Sequence, residues 1–369
     1  MKIYHIIYSL TIGGAEKFAI NLANRQSLSN EVGMVIINNY YSDDLIGLLN
    51  KNIKVFKINR TPGSFSPLPV FKLNREIMKE RPNIIHCHNE DIVKYIFPHK
   101  DSKKVLTIHQ KDIDIRYVKS YDKCFCVSDF IFNYIKERCH CQNLKRIYNG
   151  VEIKKQNIGS EFENVEYDDG KPVKELTNQA VINKNGNFTF KIVLIGRLFT
   201  ECKGQHLLIK AIAELRSKCK TNIQVDIYGA GPSESYLKSL TKQLHLENIV
   251  SFKGEIDADK IVNVLPLYNL LVHPSLYEAL GLSIIEAMIC GVPILVSDKE
   301  GPMEIVEYTQ CGTVFETGNV TDLCDKIIEV INRYDFYSVR AKENSHKIEE
   351  MFSIEKCCNE YLKEYDLLF

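Results

Sequence analysis

Apolar segments of strand length alternate with helix-length amphipathic segments along most of this chain. The first series contains KIYHIIYSL, a helical pattern from about 15 to 26, VGMVIIN, IIHCH, VLTIH and CFCVS. The second series contains KIVLIGR, VDIYGAG, IVSFKGE, LLVHPS, PILVS and GTVFE. Strands that alternate with helices are typical of parallel sheets covered on both faces. The pattern therefore predicts two doubly wound α/β domains, with ligands at the carboxyl ends of the strands.

A polar stretch from 152 to 187, rich in Asn, Lys and Glu, interrupts this alternation. It lacks the apolar periodicity of a packed element, which indicates an interdomain linker or a surface excursion. We therefore place an N-terminal domain at residues 1–170 and a C-terminal domain at 171–352. The last segment, 353–369, has the pattern of an amphipathic helix.

The composition is that of an ordinary globular protein. The 369 residues carry 47 basic and 47 acidic side chains, so no overall field draws the chain to nucleic acid. No apolar run reaches the roughly 18 residues of a membrane span, and the N-terminus has no export pattern. The 12 cysteines are scattered through apolar segments, which predicts reduced thiols in a cytoplasmic protein.

Three kinds of residue group have the composition of a metal site. They are the Cys-x-Cys pairs at 124/126 and 139/141, the run His86-Cys87-His88, and the Asp-x-Asp triplets at 112/114 and 257/259. No partner pair follows the Cys-x-Cys pairs at the spacing of a zinc site, which favours buried apolar thiols. Asp257 has the position of a helix N-cap, and the first triplet is interleaved with Lys111 and Arg116. We therefore expect no bound metal.

The segment SLYEALGLSIIEAMICGVP, from 275 to 293, combines a helix start with two acidic residues. Apolar residues at 284, 285, 288 and 289 share one helical face, and the glycine and proline that follow end the helix. Glu286 then lies inside the helix, and Glu278 lies eight positions earlier, outside it.

This helix start suits a sugar joined to a phosphate. The backbone N–H groups near Gly281, Leu282 and Ser283 attract an anion, while the carboxylates of Glu278 and Glu286 suit hydroxyl recognition. The alternative is that Glu278 only complements the helix dipole and that Glu286 is solvated.

Two further turns of the second half lie between a strand and a helix. In IGRLFTECKG, Arg197 and Lys203 supply a fork-shaped and a point positive charge, which together fit a diphosphate. In YGAGP, Gly229 lets the backbone approach a flat base or a phosphate, although an ordinary βα loop explains it as well.

The first half has its own candidates at strand ends. Gly13 and Gly14 follow the first strand, but they lack the spaced third glycine of a dinucleotide fingerprint, and a structural turn explains them equally. His109 ends VLTIH at the same sheet edge. His86 and His88 end the neighbouring strand, and we rank them below His109 as candidate functional residues. For each histidine, a hydrogen-bonded structural role is the alternative.

Taken in order, these motifs resemble glycosyltransferase family 4, whose members have the GT-B fold. The resemblance rests on GGAE, VLTIH, a strand ending in Ser128, YNGVE, GRL followed by KG, YGAGP, and Glu278 with Glu286. It covers nearly the whole chain. It implies two Rossmann-like domains that face each other across a cleft, with the final helix, about 353–369, packed back on the first domain.

The resemblance also implies roles for individual residues. Arg197 and Lys203 would neutralise the donor diphosphate, Glu286 would bind the ribose, and Glu278 would contact sugar hydroxyls. The catalytic residues would be His109, Arg197, Lys203 and Glu278. The donor-binding residues would be Gly14, Gly196, Arg197, Lys203, Gly229, Glu278, Ala279, Gly281, Leu282, Ser283 and Glu286.

The resulting expectation is a retaining transfer of a sugar from a nucleotide-diphosphate sugar, with a UDP-sugar favoured, without a metal or other cofactor. The acceptor would be a hydroxyl of a glycan or lipid-linked glycan in surface polysaccharide biosynthesis. The alternatives are a nucleotide-sugar epimerase, a phosphorylase of the same fold, or an inactive nucleotide-sugar-binding partner subunit.

A basic segment of the first domain suggests contact with a membrane. It contains Lys94, His99, Lys100, Lys103, Lys104, Lys111, Arg116 and Lys119, interleaved with Tyr95, Ile96 and Phe97. Such a surface would dock on anionic lipid at the inner face of the plasma membrane, and a solvated face is the alternative.

Overall fold

The computed structural model describes residues 1–11, 13–152, 167–168, 171–172, 189–257 and 260–369. The chain forms two compact units, one of Met1–Glu152 with Glu350–Phe369 and one of Ile153–Glu349. Most of the polar stretch 152–187 lies outside the described residues, including residue 170, where we ended the first domain.

The order of elements follows the alternation of strands and helices in the sequence. The strands are β1 (Lys2–Ile7), β2 (Glu31–Asn38), β3 (Lys54–Arg60), β4 (Ile84–Cys87), β5 (Lys103–Ile108), β6 (Lys123–Cys126), β7 (Leu144–Arg146), β8 (Tyr167–Asp168), β9 (Lys171–Pro172), β10 (Thr189–Ile195), β11 (Asn222–Tyr228), β12 (Val250–Gly254), β13 (Leu270–His273), β14 (Ile294–Ser297) and β15 (Thr313–Phe315). The helices are α1 (Gly14–Gln26), α2 (Asp43–Gly47), α3 (Leu68–Glu80), α4 (Asp129–Cys139), α5 (Thr200–Lys203), α6 (Gln205–Lys218), α7 (Glu234–Gln243), α8 (Ile261–Val264), α9 (Leu282–Ile289), α10 (Glu300–Thr309), α11 (Val320–Asn332), α12 (Tyr334–Phe352) and α13 (Ile354–Asp366).

Each unit contains one parallel sheet with a doubly wound strand order. The first sheet has the order β3-β2-β1-β4-β5-β6-β7, and the second has the order β12-β11-β10-β13-β14-β15. Both orders reverse direction beside their first strand, between β1 and β4 and between β10 and β13. In such sheets the ligand lies at the carboxyl ends of the strands near this switch point. The predicted α/β class is confirmed.

The central strands of these parallel sheets are apolar on both faces because helical crossovers cover both sides of each sheet. In β1, Ile3, Tyr4 and Ile6 are fully buried together with the polar His5. Helices cover both sides of such a strand. Burial of its apolar side chains is the main favourable contribution to the free energy of folding.

Two predicted helices differ from the structure. The sequence pattern predicts a helix after Glu90, but the structure has a 3₁₀ turn there, Glu90–Tyr95, which is short because Pro98 follows closely. The helix expected after Asp257 begins only at Ile261, with Lys260 in the cap position. Asp257 is therefore not the N-cap that we predicted, and its carboxylate lies 2.5 Å from Nζ of Lys260 instead. Asp259, the other member of that triplet, lies outside the described residues.

The C-terminal helix α13 belongs to the first unit. Its residues Tyr361 and Tyr365 are fully buried in one cluster with Phe18 and Phe125. The N–H of Ile354 donates to the carbonyl of Val151 at 3.1 Å, which ties the start of α13 to the end of the N-terminal segment. The helix therefore completes the core of that unit.

The cysteines are free thiols, most of them buried. Burial raises the pKa of Cys126 to about 12, so the thiol stays protonated at neutral pH. In the described part of the chain no cysteine belongs to a cluster with the ligand spacing of a metal site. The interpretation of Cys124 and Cys126 as apolar core residues agrees with this.

Membrane-spanning segments are absent from the helices of the described ranges, since none is both long and apolar enough to cross a bilayer.

Candidate active site

The segment with the two glutamates connects β13 to α9 in the second unit. β13 ends at His273, and α9 begins at Leu282 with Gly281 as its N-cap. Gly281 has a φ of +96°, a conformation that glycine adopts without strain. The helix begins where the apolar pattern predicted it. Because Leu282 and Ser283 are in the first turn, their N–H groups have no carbonyl acceptor within the helix and point toward an incoming anion.

Glu278 is the centre of a polar network that joins distant parts of the chain. Its Oε2 atom contacts Nζ of Lys203, which is 75 residues earlier. The same Oε2 atom lies 3.1 Å from Nε2 of His273. The Oγ atom of Ser283 lies 3.4 Å from Nδ1 of His273, so the imidazole joins Glu278 to the first turn of α9.

The electrostatics of this network keep Glu278 ionised. Burial alone would raise the pKa of its carboxyl group, but Lys203 and His273 outweigh burial and lower the pKa to about 2. Burial lowers the pKa of His273 despite the nearby carboxylate. The neutral imidazole therefore donates from Nε2 to Glu278, while Nδ1 accepts from the hydroxyl of Ser283.

Glu286 lies inside α9 and is only 3% exposed. The alternative that Glu286 is a solvated surface charge is therefore wrong. A carboxylate this buried is costly unless it has polar partners, and exposed helix positions accept a glutamate without that cost. Its position fits a specific role rather than general solubility.

The turns after β10, β11 and β13 pack closely against each other. A Cβ atom on Gly204 would lie 2.0 Å from the carbonyl oxygen of Pro274, and one on Gly229 would lie 2.0 Å from that of Gly196. Both glycines also have positive φ, +63° and +133° respectively. Only glycine allows this approach. The turns bring Lys203 and Glu278 together as a result.

Arg197 lies at the same edge of the sheet, immediately after β10 and Gly196. Its side chain is exposed, and within the described ranges it forms no ion pair. Its carbonyl oxygen accepts a hydrogen bond of 2.7 Å from Nε2 of the buried Gln205, which fixes the backbone of the turn. Lys203 is neutralised by Glu278, whereas the guanidinium of Arg197 is available to an anionic ligand.

In the first unit, His109 belongs to a cluster of four histidines from three adjacent strands. His5 lies on β1, His86 is in β4 with His88 just after it, and His109 follows β5. Nδ1 of His5 lies 3.0 Å from Nε2 of His88, and Nδ1 of His88 lies 3.2 Å from Nε2 of His109. The strand-end rule predicted His109 and His88 at one edge but did not identify His5.

Three of these histidines have the spacing of metal ligands. One ring nitrogen from each of His5, His86 and His88 lies within 4.8 Å of the others. Each ring nitrogen of the three already has a hydrogen-bond partner, however: His86 bonds the hydroxyls of Thr107 and Tyr365, both at 2.7 Å. The cluster is thus internally satisfied by hydrogen bonds.

The glycine pair begins α1. Gly14 is the first residue of the helix, and Gly13 is its N-cap with an extended φ of −172°. A Cβ atom on Gly13 would lie 2.3 Å from Oε2 of Glu16, so a side chain there would displace Glu16. Because the φ of Gly13 is extended, the turn does not require a residue in the left-handed conformation. The preceding residue, Ile12, lies outside the described residues.

Two family models match the chain. The model described as Glycosyltransferase Family 4 matches residues 12–155, and the model described as Glycosyl transferases group 1 matches residues 175–348. The chain belongs to the group 1 glycosyltransferases. The resemblance drawn from the ordered motifs is thereby confirmed, and this glycosyltransferase is an enzyme with two Rossmann-like domains.

Three known proteins show how far the similarity extends. An uncharacterised glycosyltransferase of Methanocaldococcus jannaschii is 26% identical over 98% of this chain and 97% of its own. The poly(ribitol-phosphate) alpha-N-acetylglucosaminyltransferase of Staphylococcus aureus is 31% identical over 43% of this chain and 32% of its own. The crystal structure of Anabaena HepE in complex with UDP and glucose has a TM-score of 0.75, at 21% identity and 99% coverage of both chains. This last likeness confirms the fold.

Sequence reasoning about this glycosyltransferase missed two residues that hold Glu278. His273 contacts its carboxylate, and Oε2 of Glu300 accepts a hydrogen bond of 3.1 Å from its backbone N–H. A signal for His273 was present, because it ends a strand just as His109 follows one. No sequence pattern indicated Glu300, which is 22 residues further along the chain.

Proposed function

We propose that this enzyme is a retaining, metal-independent glycosyltransferase that moves a sugar from a UDP-sugar to a hydroxyl of a glycan or lipid-linked glycan in surface polysaccharide biosynthesis. The observation that carries the proposal is a pair of cations in the turn after β10: the exposed Arg197, and Lys203, whose ammonium contacts the partly buried carboxylate of Glu278. Support for UDP comes from HepE, which was crystallised with UDP and glucose. Support for a surface polymer comes from the Staphylococcus aureus relative, named for transfer to poly(ribitol-phosphate).

The second unit provides the groups that a nucleotide-sugar donor needs. Arg197 is a planar fork that binds two phosphate oxygens, and Lys203, six residues later in the chain, is a point charge. A diphosphate competes with Glu278 for Lys203, so donor binding releases the carboxylate to accept hydrogen bonds from sugar hydroxyls. The N–H groups of Leu282 and Ser283 then take further oxygens.

The remaining donor-binding residues surround these groups. We assign Glu286 to the ribose hydroxyls and Gly229 to the close passage of the base or a phosphate. Gly196 keeps open space beside Arg197, since a Cβ atom there would have no neighbour within 4 Å. Ala279 and Gly281 contribute backbone between Glu278 and α9.

The chemistry follows from where negative charge develops. The bond between the anomeric carbon and the diphosphate oxygen breaks, and the departing nucleoside diphosphate is stabilised by Arg197, Lys203 and the start of α9. The acceptor hydroxyl attacks the oxocarbenium-like carbon from the same face and forms the new C–O bond. Its proton passes to a phosphate oxygen of the leaving group. Preorganised charges of this kind lower a barrier by several kcal/mol.

We assign roles in the same reaction to two residues of the first unit. Burial lowers the pKa of His109 to about 4, so at neutral pH its imidazole offers hydrogen bonds to the sugar and no positive charge. Gly14, the first residue of α1, is assigned to the diphosphate because it adds no side chain there.

Nucleotide release across a panel of UDP-, GDP- and ADP-sugars, with and without glycan acceptors, tests the proposal. We expect UDP release that depends on an acceptor, and a product whose anomeric configuration by NMR matches that of the donor. A changed nucleotide sugar without any acceptor would indicate an epimerase, and a need for inorganic phosphate would indicate a phosphorylase. Donor binding without turnover would indicate an inactive partner subunit.

Metal independence has a separate test. Because Arg197, Lys203 and the start of α9 supply the counter-charge of the diphosphate, excess EDTA should leave the transfer rate unchanged. Loss of activity in EDTA that returns with Mg²⁺ or Mn²⁺ would contradict this part of the proposal.

We also propose that the first unit contacts an anionic membrane through one face of α3. Leu68, Phe71, Arg75 and Met78 are exposed at spacings of three and four residues, which places them on one helical stripe. The exposed Phe97 lies beside them, with its ring centroid 6.0 Å from that of Phe71. Apolar side chains in such a row suit insertion at a lipid interface.

Cations flank this stripe and give it the charge that an anionic surface attracts. Lys79 is exposed on α3, and Lys100 is exposed on the segment around Phe97. Ile96, which we counted in the docking surface from the sequence, is only 7% exposed and packs inward instead. The alternation of basic and apolar residues in that segment concealed which side chains face out.

Sedimentation with vesicles tests this contact. We expect binding to vesicles containing phosphatidylglycerol at low salt, little binding to neutral vesicles, and loss of binding in Phe71→Ser. Tyr236→Ser, at an exposed position of the second unit, is the matched control. Equal binding by Phe71→Ser and the unaltered chain would show that α3 is not the contact.

A further inference from the structure

A buried chain of hydrogen bonds runs from Gln26 to His109. Oε1 of Gln26 lies 2.8 Å from Nε2 of His5, and Nδ1 of His5 lies 3.0 Å from Nε2 of His88. Nδ1 of His88 lies 3.2 Å from Nε2 of His109. Gln26 and His5 are fully buried and His88 is 4% exposed. Consecutive hydrogen bonds thus link the four side chains in series inside the first unit.

The proton order along this chain follows from its first member. Nε2 of Gln26 donates to the hydroxyl of Tyr365 at 3.5 Å, and that hydroxyl lies 2.7 Å from Nδ1 of His86. This leaves Oε1 of Gln26 as an acceptor, so Nε2 of His5 carries a proton. A neutral imidazole has one donor and one acceptor, so each following bond has the same direction.

The last bond therefore fixes the tautomer of His109. Nε2 of His109 donates to Nδ1 of His88, and the lone pair of His109 is on Nδ1. Among the described residues nothing bonds this Nδ1 atom. Phe18 packs edge-on against the same ring, with centroids 5.6 Å apart and planes at 67°, which limits rotation of the imidazole.

The series of hydrogen bonds from Gln26 to His109 does not function as a path for protons. Its inner end, Gln26, is fully buried and does not titrate. Burial lowers the pKa of His5 to about 4 and that of His88 well below its usual range, and no carboxylate of the described residues bonds either ring. The side chains of this series stay neutral near pH 7, so their effect is to orient the imidazole of His109.

We propose that His88, His5 and Gln26 are positioning residues that hold His109 as the Nε2–H tautomer, with the Nδ1 lone pair presented to a hydroxyl group of the substrate. The inference rests on the role in sugar transfer proposed for His109. The positioning resembles that of metal-bound histidines, whose second ring nitrogen is fixed by an outer partner. Here the outer partner is a series of three side chains.

The first test uses the unaltered full-length chain with ¹⁵N-labelled histidine. Imidazole ¹⁵N shifts distinguish a protonated nitrogen from one with a lone pair, and comparison with His109→Gln assigns the signals. At pH 7.5 we expect Nε2 of His109 to be protonated and Nδ1 not. A proton on Nδ1 would overturn the proposal, and this measurement does not depend on activity.

The second test removes the remote end of the chain. Gln26→Leu should give His109 mixed tautomers and lower kcat by about 10- to 100-fold, the usual cost of losing such an outer partner, while Kd for UDP stays within about twofold. Thr241→Val is the matched control, because Thr241 is buried in the second unit and its hydroxyl donates to the carbonyl of Leu237.

Each outcome separates this inference from the proposed function. If Gln26→Leu keeps the single tautomer, the positioning role is wrong even when transfer is observed. If the unaltered enzyme shows no transfer, the proposed function fails, and the ¹⁵N spectra still decide the tautomer. His5→Phe, which breaks the chain at its next link with a ring of similar size, replaces Gln26→Leu if that variant does not fold.

Discussion

Nε2 of His273 lies 3.1 Å from Oε2 of Glu278, so the last residue of β13 holds the carboxylate that follows it by five positions. Lys203 contacts the same oxygen from a different turn. The carboxylate is therefore held by two groups before any ligand arrives. In the proposed donor complex the diphosphate takes Lys203, while His273 still orients the carboxylate, and such preorganised polar groups are the usual source of electrostatic catalysis.

Glu278→Gln separates donor binding from transfer. The variant loses the charge that pairs with Lys203, so Lys203 becomes free for a diphosphate. UDP should bind as tightly as before or more tightly, while the transfer rate falls by about 10²-fold or more because the sugar hydroxyls lose a charged acceptor. Calorimetric titration with UDP and initial rates of nucleotide release measure the two effects.

The control for this variant is Glu247→Gln, an exposed acid elsewhere in the second unit. It should change neither quantity. A tenfold weaker affinity for UDP in Glu278→Gln would mean that Glu278 supports the diphosphate and not the sugar.

Arg197→Ala tests the exposed cation at the end of β10. Loss of one preorganised charge next to a leaving diphosphate should cost about 3–4 kcal/mol of transition-state stabilisation, or about 10²- to 10³-fold in rate. Arg197→Lys should recover only part of the rate, because an ammonium cannot bind two oxygens as a fork does. Rates under saturating donor measure the effect on kcat.

Arg216→Ala is the matched control, because Arg216 is exposed in the same unit and, among the described residues, bonds only the carbonyl of His245. Full transfer activity in Arg197→Ala would remove Arg197 from the catalytic residues.

Gly204→Ala tests whether the packed turns hold Lys203 in place. Alanine at a φ of +63°, with its Cβ atom 2.0 Å from the carbonyl oxygen of Pro274, should destabilise the fold by roughly 2 kcal/mol. Thermal unfolding and transfer rate should both decrease. Gly47→Ala is the control, because Gly47 has open space around it and lies in the helix α2. Equal stability of the two variants would show that the turn is not restrained.

The pattern of apolar segments predicted the strands and most helices because burial on both faces leaves a continuous apolar signal in each strand. The strand-end rule also predicted that Arg197 and Lys203 follow a strand of the second sheet and that His109 follows a strand of the first, which the structure shows. Both kinds of prediction use information that lies within about ten residues of the chain.

Contacts between distant segments were not predictable in this way. The contact of Lys203 with Glu278 depends on two glycine turns that pack at van der Waals distance. The chain from Gln26 to His109 depends on β1 lying beside β4 and β4 beside β5, which is a property of the strand order. Both arrangements follow from the topology of the sheets. The local sequence pattern therefore identifies candidate residues but not the residues that they contact.

The buried histidines predict how stability depends on pH. His5 has a pKa of about 4 in the folded protein and about 6.5 when unfolded, so between these values only the unfolded chain binds the proton. The free energy of unfolding should therefore decrease as the pH falls from about 6.5 to about 4. His5 alone accounts for roughly 3 kcal/mol, and His86 and His88 act in the same direction.

Urea unfolding at pH 7.5 and pH 5.0, followed by circular dichroism, measures this dependence. The carboxylates with lowered pKa, such as Glu278, titrate below this window and contribute little to it. His5→Phe has one buried titrating group fewer, so its stability should differ less between the two pH values. An unfolding midpoint that stays constant or rises at pH 5.0 would contradict the neutral state of the cluster, because protonation of the unfolded chain must then be matched in the native one.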